Sequence, residues 1–253
     1  MRECLDHHLP ALIGADMNLL TEPSVEAVAV AAADIVCDLL RRTPTVHLCL
    51  AAGGTPRPLY GELTRRAQSG AISLASARIT KLDEWHGLPL EHPATCETDL
   101  RQHLFGRLGL PEANYLGFDS LAPDPEAECA RVLAALKQRG PFDLSILGLG
   151  LNGHLGMNEP AEELQRHPHY AELSEVSRNH AMLRDTPNPP THGLTIGMAD
   201  LLQSRQVILL VTGSSKQEAL QRLLDGPLTT QFPASLLHLH PNCVCVADAA
   251  AAS

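Results

Sequence analysis

The residues from Leu147 to Pro160, LGLGLNGHLGMNEP, hold an imidazole, a carboxylate and two carboxamides in one short span behind an apolar run. His154 and Glu159 are its ionisable groups, and Asn152 stands two places before the histidine. Gly148, Gly150, Gly153 and Gly156 let the backbone approach a ligand closely. An imidazole titrates near neutrality, so His154 can relay a proton while Glu159 balances its charge.

Three further segments carry complementary chemistry. ITKLDEWHGLP places Asp83 and Glu84 at the end of a buried strand, where a carboxylate can be a general base tuned by burial. Neighbouring strand residues point opposite ways, so at most one of the pair faces a site; alternatively Asp83 only caps the next element. LCLAAGGTPRPLYGEL reads as strand, glycine turn and helix, with Gly53, Gly54 and Thr55 as an anion cradle or a plain tight connection. It is neither a Walker loop nor a dinucleotide fingerprint. VTGSSKQEAL sets Gly213, Ser214 and Lys216 at the opening of a helix, where a lysine opposes the helix dipole unless an anion is bound or its side chain reaches away.

The elements that must position these groups follow from periodicity. Apolar, β-branched runs at 45–51, 77–83, 142–150, 206–213 and 243–248 predict buried strands. Helical patterns occupy 23–42, 56–68, 95–105, 123–140 and 215–226. Their alternation predicts an α/β fold: an open, mostly parallel twisted sheet with helices on both faces, Rossmann-like, in one domain over residues 1–253. Pro123 and Pro125 open one helix and Gly140 closes it, while Ser214 or Ser215 caps the helix that Gly226 ends. RDTPNPPTHG (184–193) reads as a loop and the tail ADAAAAS as frayed. In such folds ligands gather at the carboxyl ends of strands, which is where all four segments fall.

Composition narrows the function. The formal charge of −10 repels nucleic acid, whereas a small phosphorylated ligand stays open because local backbone N–H groups and one or two cations can bind it. No apolar run approaches a membrane span, and MRECLDHHLPALIGADMNLL lacks the pattern of a secretory signal, so a cytoplasmic protein without membrane attachment is expected. Seven scattered cysteines, Cys4, Cys37, Cys49, Cys96, Cys129, Cys243 and Cys245, read as reduced thiols. Cys243 and Cys245 fit a strand better than a zinc site, and no metal is expected. A homo-oligomer is left open.

With these segments in order, the sequence resembles the glucosamine-6-phosphate deaminase/isomerase family, which includes galactosamine-6-phosphate isomerases and is related to 6-phosphogluconolactonases. The resemblance spans about residues 20 to 248 and is carried by GGTPRPLY, LDEWHGLP, HPATCETDL, GLGLNGHLGMNEP, GLTIGMADLL and VTGSSKQEAL. Asn158-Glu159-Pro160 resembles the deaminases more than the lactonases. Asn152, where glucosamine-type enzymes have Asp, resembles the galactosamine branch.

The resemblance implies conversion of galactosamine-6-phosphate to tagatose-6-phosphate and ammonia, without metal or redox cofactor. Glucosamine-6-phosphate deamination and lactone hydrolysis are the alternative reactions. It assigns proton transfer between C2 and C1 to Asp83, ring opening to His154 and partnership with that histidine to Glu159. The 6-phosphate falls to Gly53, Gly54, Thr55 and Lys216, with Gly153 in the substrate-binding turn and Arg184, or alternatively Arg178, as the phosphate arginine. Asn152 keeps an acceptor without a charge, so it is expected to orient His154 while Glu159 alone supplies negative charge; alternatively it occupies a left-handed position in the glycine turn, or its neutral amide serves the axial C4 hydroxyl of a galacto sugar differently from a carboxylate. A sugar-phosphate sensor is the non-enzymatic alternative. About twenty residues precede the first long helix, which leaves no room for a helix-turn-helix.

Overall fold

The computed structural model describes residues 17–108 and 110–253. Cys4 and most of the segment read for a secretory signal lie outside them. The strands are β1 (Asn18–Glu22), β2 (His47–Leu50), β3 (Arg78–Lys81), β4 (Asp83–Trp85), β5 (Tyr115–Leu116), β6 (Leu144–Gly148), β7 (His169–Glu172), β8 (His192–Thr195), β9 (Val207–Val211) and β10 (Cys243–Asp248). The helices are α1 (Val25–Arg42), α2 (Arg57–Gln68), α3 (Cys96–Leu100), α4 (Gly106–Leu108), α5 (Pro125–Arg139), α6 (Glu175–Arg178), α7 (Met198–Leu202), α8 (Gln217–Asp225) and α9 (Ala249–Ala252).

Seven strands form one sheet in the order β1-β10-β9-β6-β2-β3-β5, every pair parallel. Its central strands β6 and β9 are mostly apolar and buried because both faces are covered, whereas the edge strand β1 is largely exposed. Along β9, Val207, Leu209 and Val211 join a core with Val132 and Leu136 of α5 and Leu220 and Leu223 of α8. Ile208 and Leu210 turn to the other core, built with Val28, Ala32 and Val36 of α1 and Leu59 and Leu63 of α2. The alternation of period two thus assigns helices to opposite faces.

Helix ends follow their capping chemistry. Ser24 accepts the Ala27 amide at the start of α1, 3.3 Å, and Asp124 accepts that of Ala127 ahead of Pro125 in α5, 3.0 Å. Two expectations at chain punctuation are corrected. Neither Ser214 nor Ser215 caps α8: Ser214–Lys216 winds as a 3₁₀ turn and Lys216 occupies the cap position. The alanine tail is helical, because Asp248 accepts the Ala251 amide at 2.9 Å and Ala251 is buried.

The sequence reading also runs 77–83 as one strand, and the chain divides it at Leu82. The Leu82 amide donates to Leu50 in the large sheet, 3.0 Å, while its carbonyl accepts from Ile196, 2.9 Å. Asp83 then opens β4 of a separate antiparallel sheet, β4-β8-β7, in register with Thr195. The chain runs outward from β2 to β3 and β5, then returns to β6 on the other flank of β2. The reversal makes a crevice at the carboxyl ends of β2 and β6.

Candidate active site

That crevice is a cavity of about 530 Å³, lined by Asp83, His154, Gly54, Thr55 and Lys216 among others. It joins the loops after β2, β3, β6 and β9, so the four segments singled out in the sequence meet in one place.

Asp83 faces the cavity and Glu84 turns into the protein, as opposite faces of a strand require. Fully buried Glu84 accepts the amides of Trp85, Cys96 and Glu97 at 2.9, 3.0 and 2.8 Å and the Lys81 ammonium at 2.6 Å. It therefore ties β4 to the start of α3. Lys81, also fully buried, reaches Glu97 at 2.8 Å; burial opposes its charge, but the two carboxylates outweigh it and raise its pKa. Burial, then the neighbouring Glu84 carboxylate, pushes Asp83 up to about 7, against the pull of His154 and Lys81. The Cys96 thiol lies 3.7 Å from Asp83 Oδ1.

The His154 ring rests on Gly150, where an added Cβ would lie 2.5 Å from Cγ and Cδ2. Its Nδ1 is 3.2 Å from Ser177 Oγ and 3.6 Å from Glu159 Oε2, which leaves Nε2 for the cavity. Burial pushes Glu159 up, yet His154, Ser177 and Asn152 outweigh it and hold the carboxyl at about 2. Glu159 is oriented by two donors, Asn152 Nδ2 at 2.9 Å and the Ser174 amide at 3.3 Å. Gly153 adopts φ +83° with Phe232 packed where a Cβ would be, so the turn tolerates only glycine there.

Asn152 neither contacts the imidazole nor takes a left-handed conformation. Its Oδ1 accepts the backbone amide of His154 at 3.2 Å, and its Nδ2 donates to Glu159 and, at 3.2 Å, to Ser174 Oγ; none of these contacts is with the imidazole. Among the described residues no non-glycine has positive φ, so Asn152 is not left-handed. It orients the glutamate rather than the histidine.

At the other end of the cavity the Lys216 ammonium reaches across to the Leu149 carbonyl, 2.6 Å, and burial lowers its pKa. The lysine thus reaches away from its own helix, resolving the conflict with the dipole. In the glycine turn the Gly53 amide donates to Asp99 Oδ2 at 2.9 Å, while Asp99 Oδ1 accepts Arg57 Nε at 2.6 Å. Gly53 therefore shapes the turn and its amide is committed, which leaves Gly54 and Thr55 as the ligand-facing pair.

The family described as glucosamine-6-phosphate isomerases/6-phosphogluconolactonase matches residues 21–245. The chain belongs to this family. Escherichia coli (strain K12) AgaI, whose name gives a deaminase class and no substrate, is 41% identical over 215 residues, 85% of each chain. The glucosamine-6-phosphate deaminase of Streptomyces coelicolor is 38% identical over 240 residues, 94% of this chain and 92% of that one. A monomeric glucosamine-6-phosphate deaminase of the NagB superfamily superposes with a TM-score of 0.89 at 32% identity, covering 93% and 99% of the two chains. A 6-phosphogluconolactonase from Trypanosoma brucei, TM-score 0.75 at 21% identity over 94% and 98%, shares the fold.

One assignment from the resemblance is corrected: neither Arg184 nor the alternative Arg178 lines the cavity, and both are exposed. The arginine that does line it is Arg57, at the first position of α2 and anchored by Asp99. Arg57 lies within GGTPRPLY, directly after the glycine turn, and that position is its signal in the sequence. Ser177 and His180 also line the cavity and were missed. They come from the α6 region, whose short, polar sequence has no periodicity to place it. Among the described residues no group of three or more His, Cys, Asp or Glu is arranged to hold a metal ion.

Because the imidazole lies on Gly150, Gly150→Ala is expected to displace His154 while leaving the sheet intact. A fall of at least about tenfold in kcat with unchanged circular dichroism is the expected result, since small misplacements of catalytic groups are costly. Wild-type turnover in the variant would show that the ring does not need this seat.

Proposed function

We propose that this enzyme converts a hexosamine 6-phosphate, with galactosamine-6-phosphate preferred, to the ketose 6-phosphate and ammonia. The observation that carries the reading is the convergence, in one cavity, of a carboxyl raised to about 7, a histidine paired with Glu159, and the Gly54–Thr55 turn facing Lys216. The galacto preference rests on the resemblance around Asn152, and glucosamine-6-phosphate is the competing substrate.

In this reading the turn and Lys216 hold the 6-phosphate, which fixes C1 and C2 against Asp83 and makes proton transfer effectively intramolecular. His154 Nε2 takes the proton of the anomeric hydroxyl and returns it to the ring oxygen, opening the pyranose; Glu159 stabilises the intervening imidazolium. Asp83 then removes the C2 proton while the substrate's C2 ammonium gives a proton to O1, forming the enolamine, and Asp83 delivers its proton to C1 as the nitrogen lone pair forms the C2 iminium. The resulting C2 iminium is attacked by water, which leaves a ketone and releases ammonia.

Ammonia release from galactosamine-6-phosphate and glucosamine-6-phosphate, measured in parallel with Asp83→Asn as blank, tests the proposal. Release from the galacto sugar in preference is expected. Silence with both sugars would overturn the deaminase reading, and hydrolysis of a 6-phosphogluconolactone would replace it. Lys216→Met should lower kcat/KM by about 10- to 100-fold, mainly through KM, because a charge-assisted hydrogen bond contributes about 1.5–3 kcal/mol. A normal KM in that variant would remove Lys216 from the phosphate site.

A further inference from the structure

His180 lines the same cavity, and neither the sequence patterns nor the family resemblance gives it a role. Its Nδ1 accepts the backbone amide of Met182 at 3.3 Å, capping the 3₁₀ turn Ala181–Leu183. An accepting Nδ1 carries no proton, so the proton of the uncharged ring sits on Nε2. The ring is held against Trp85, centroids 5.8 Å apart, and its Cε1 lies 3.8 Å from where a Cβ on Gly53 would be.

These neighbours locate the donor along a bound sugar. Gly53 belongs to the turn read as the phosphate cradle, and Trp85 follows Asp83 by two residues on β4. In the reading above, C2 of the substrate sits at Asp83 and its 6-phosphate at Gly54, Thr55 and Lys216, and Trp85 and His180 line the cavity that holds both ends. C4 is the carbon midway between C2 and C6, and its configuration alone separates the galacto from the gluco sugar. We propose that His180, in its Nε2–H tautomer, is a specificity-determining residue that donates a hydrogen bond to the C4 hydroxyl of the bound sugar phosphate. This rests on the hexosamine 6-phosphate reading above.

The electrostatics suit the role. Burial, reinforced by His154, Lys216 and Arg57, pushes the His180 pKa down to about 4, whereas Asp99 acts in the opposite sense. The ring thus stays an uncharged donor through the pH range in which Asp83 titrates. A fixed donor discriminates between epimers because the wrong configuration leaves it unpaired.

His180→Phe keeps the ring and removes the donor; His180→Gln keeps an amide donor of similar reach. Each is assayed for kcat/KM on both C4 epimers and for inhibition by inorganic phosphate. The Phe variant is expected to lose about 10- to 100-fold on the preferred epimer and much less on the other, the range for an unpaired donor. Phosphate inhibition is expected to stay unchanged, and the Gln variant to recover part of the selectivity. Equal losses on both sugars, no loss, or weakened phosphate inhibition would each overturn the proposal. So would a nitrogen NMR spectrum of the wild-type protein showing His180 protonated at Nδ1. If the wild-type enzyme releases ammonia from neither sugar, the functional reading itself falls, an outcome read from the wild-type protein and not from the variants.

Discussion

Asp83→Asn is expected to lower kcat for ammonia release by about 10³- to 10⁴-fold while leaving KM within a few-fold, the upper range for losing a general acid–base group. The amide has nearly the same shape and still fills its place at the head of β4, so substrate binding is preserved. The wild-type enzyme should lose kcat/KM as pH falls through about 7, where the carboxylate becomes protonated and can no longer take the C2 proton. Stability gives an independent reading of the same group. A carboxyl raised from about 3.9 in the unfolded chain binds its proton more tightly when folded. Its charge therefore destabilises the folded state above about pH 7, and this penalty disappears as pH falls through the window down to about 4. Asp83→Asn should accordingly raise Tm at about pH 8 and lose that advantage towards pH 4. The gain is at most a few kcal/mol, about 1.4 per unit of raised pKa, reduced because the carboxylate faces a solvated cavity. A variant that retains turnover, or that gains no stability at high pH, would remove Asp83 from this role.

What makes Asp83 unusual is the group behind it. Glu84 has every surrounding donor, three amides and the Lys81 ammonium, and these bonds lock β4 to α3. Among the described residues Asp83 has only the weak Cys96 thiol contact as a side-chain hydrogen bond, so its charge is poorly compensated. Two adjacent carboxyl groups are thus separated into a structural anchor and a proton carrier by which face of one short strand each occupies.

Much of this was legible in the sequence, for identifiable reasons. Five strands of the large sheet, β2, β3, β6, β9 and β10, are legible because a parallel sheet covered on both faces favours apolar runs, and β9, with Val207–Val211 wholly buried, is the clearest case; the edge strands β1 and β5 are not. The ligand edge followed from topology, since Gly54, Asp83, His154 and Lys216 all sit just after such runs. The short antiparallel strands were not legible: β4 is three residues long and its partner β8 lies more than a hundred residues away. Nor could local spacing show that Gly53 donates to Asp99, that Arg57 lines the cavity, or that α6 brings Ser177 beneath His154. These contacts depend on how separate elements pack. Asn152 stands out as a departure, but the expected contact with the histidine ring came from the resemblance, in which an aspartate at this place accepts an imidazole N–H. The turn instead directs the carboxamide nitrogen to Glu159, seven residues on.

That contact yields the second strong expectation, for Asn152→Asp. The change would set a carboxylate oxygen where an N–H now donates to Glu159 Oε2 at 2.9 Å. Two carboxylates so close do not both remain ionised at low pH, and one member of the pair has its pKa strongly raised. Glu159 is now held at about 2 by its donors, so the variant should acquire a carboxyl group that takes up a proton well above that value. Either the pair shares this proton, which weakens Glu159 as the counter-charge of His154, or repulsion moves Glu159 from its position 3.6 Å from Nδ1. Both routes impair ring opening, and kcat/KM should fall by about 10²-fold, the lower range for disabling an acid–base group. Ring opening can be isolated with a substrate already in the open-chain form, on which the variant should recover most of its rate because Asp83 is untouched. Carbon NMR of the labelled carboxyl groups reads the titration directly. If both carboxyls titrate in the ordinary low range and activity is retained, then Asn152 does not act through Glu159. The result would then place the role of the amide at position 152 elsewhere in the cavity, with the substrate hydroxyls as its remaining partners.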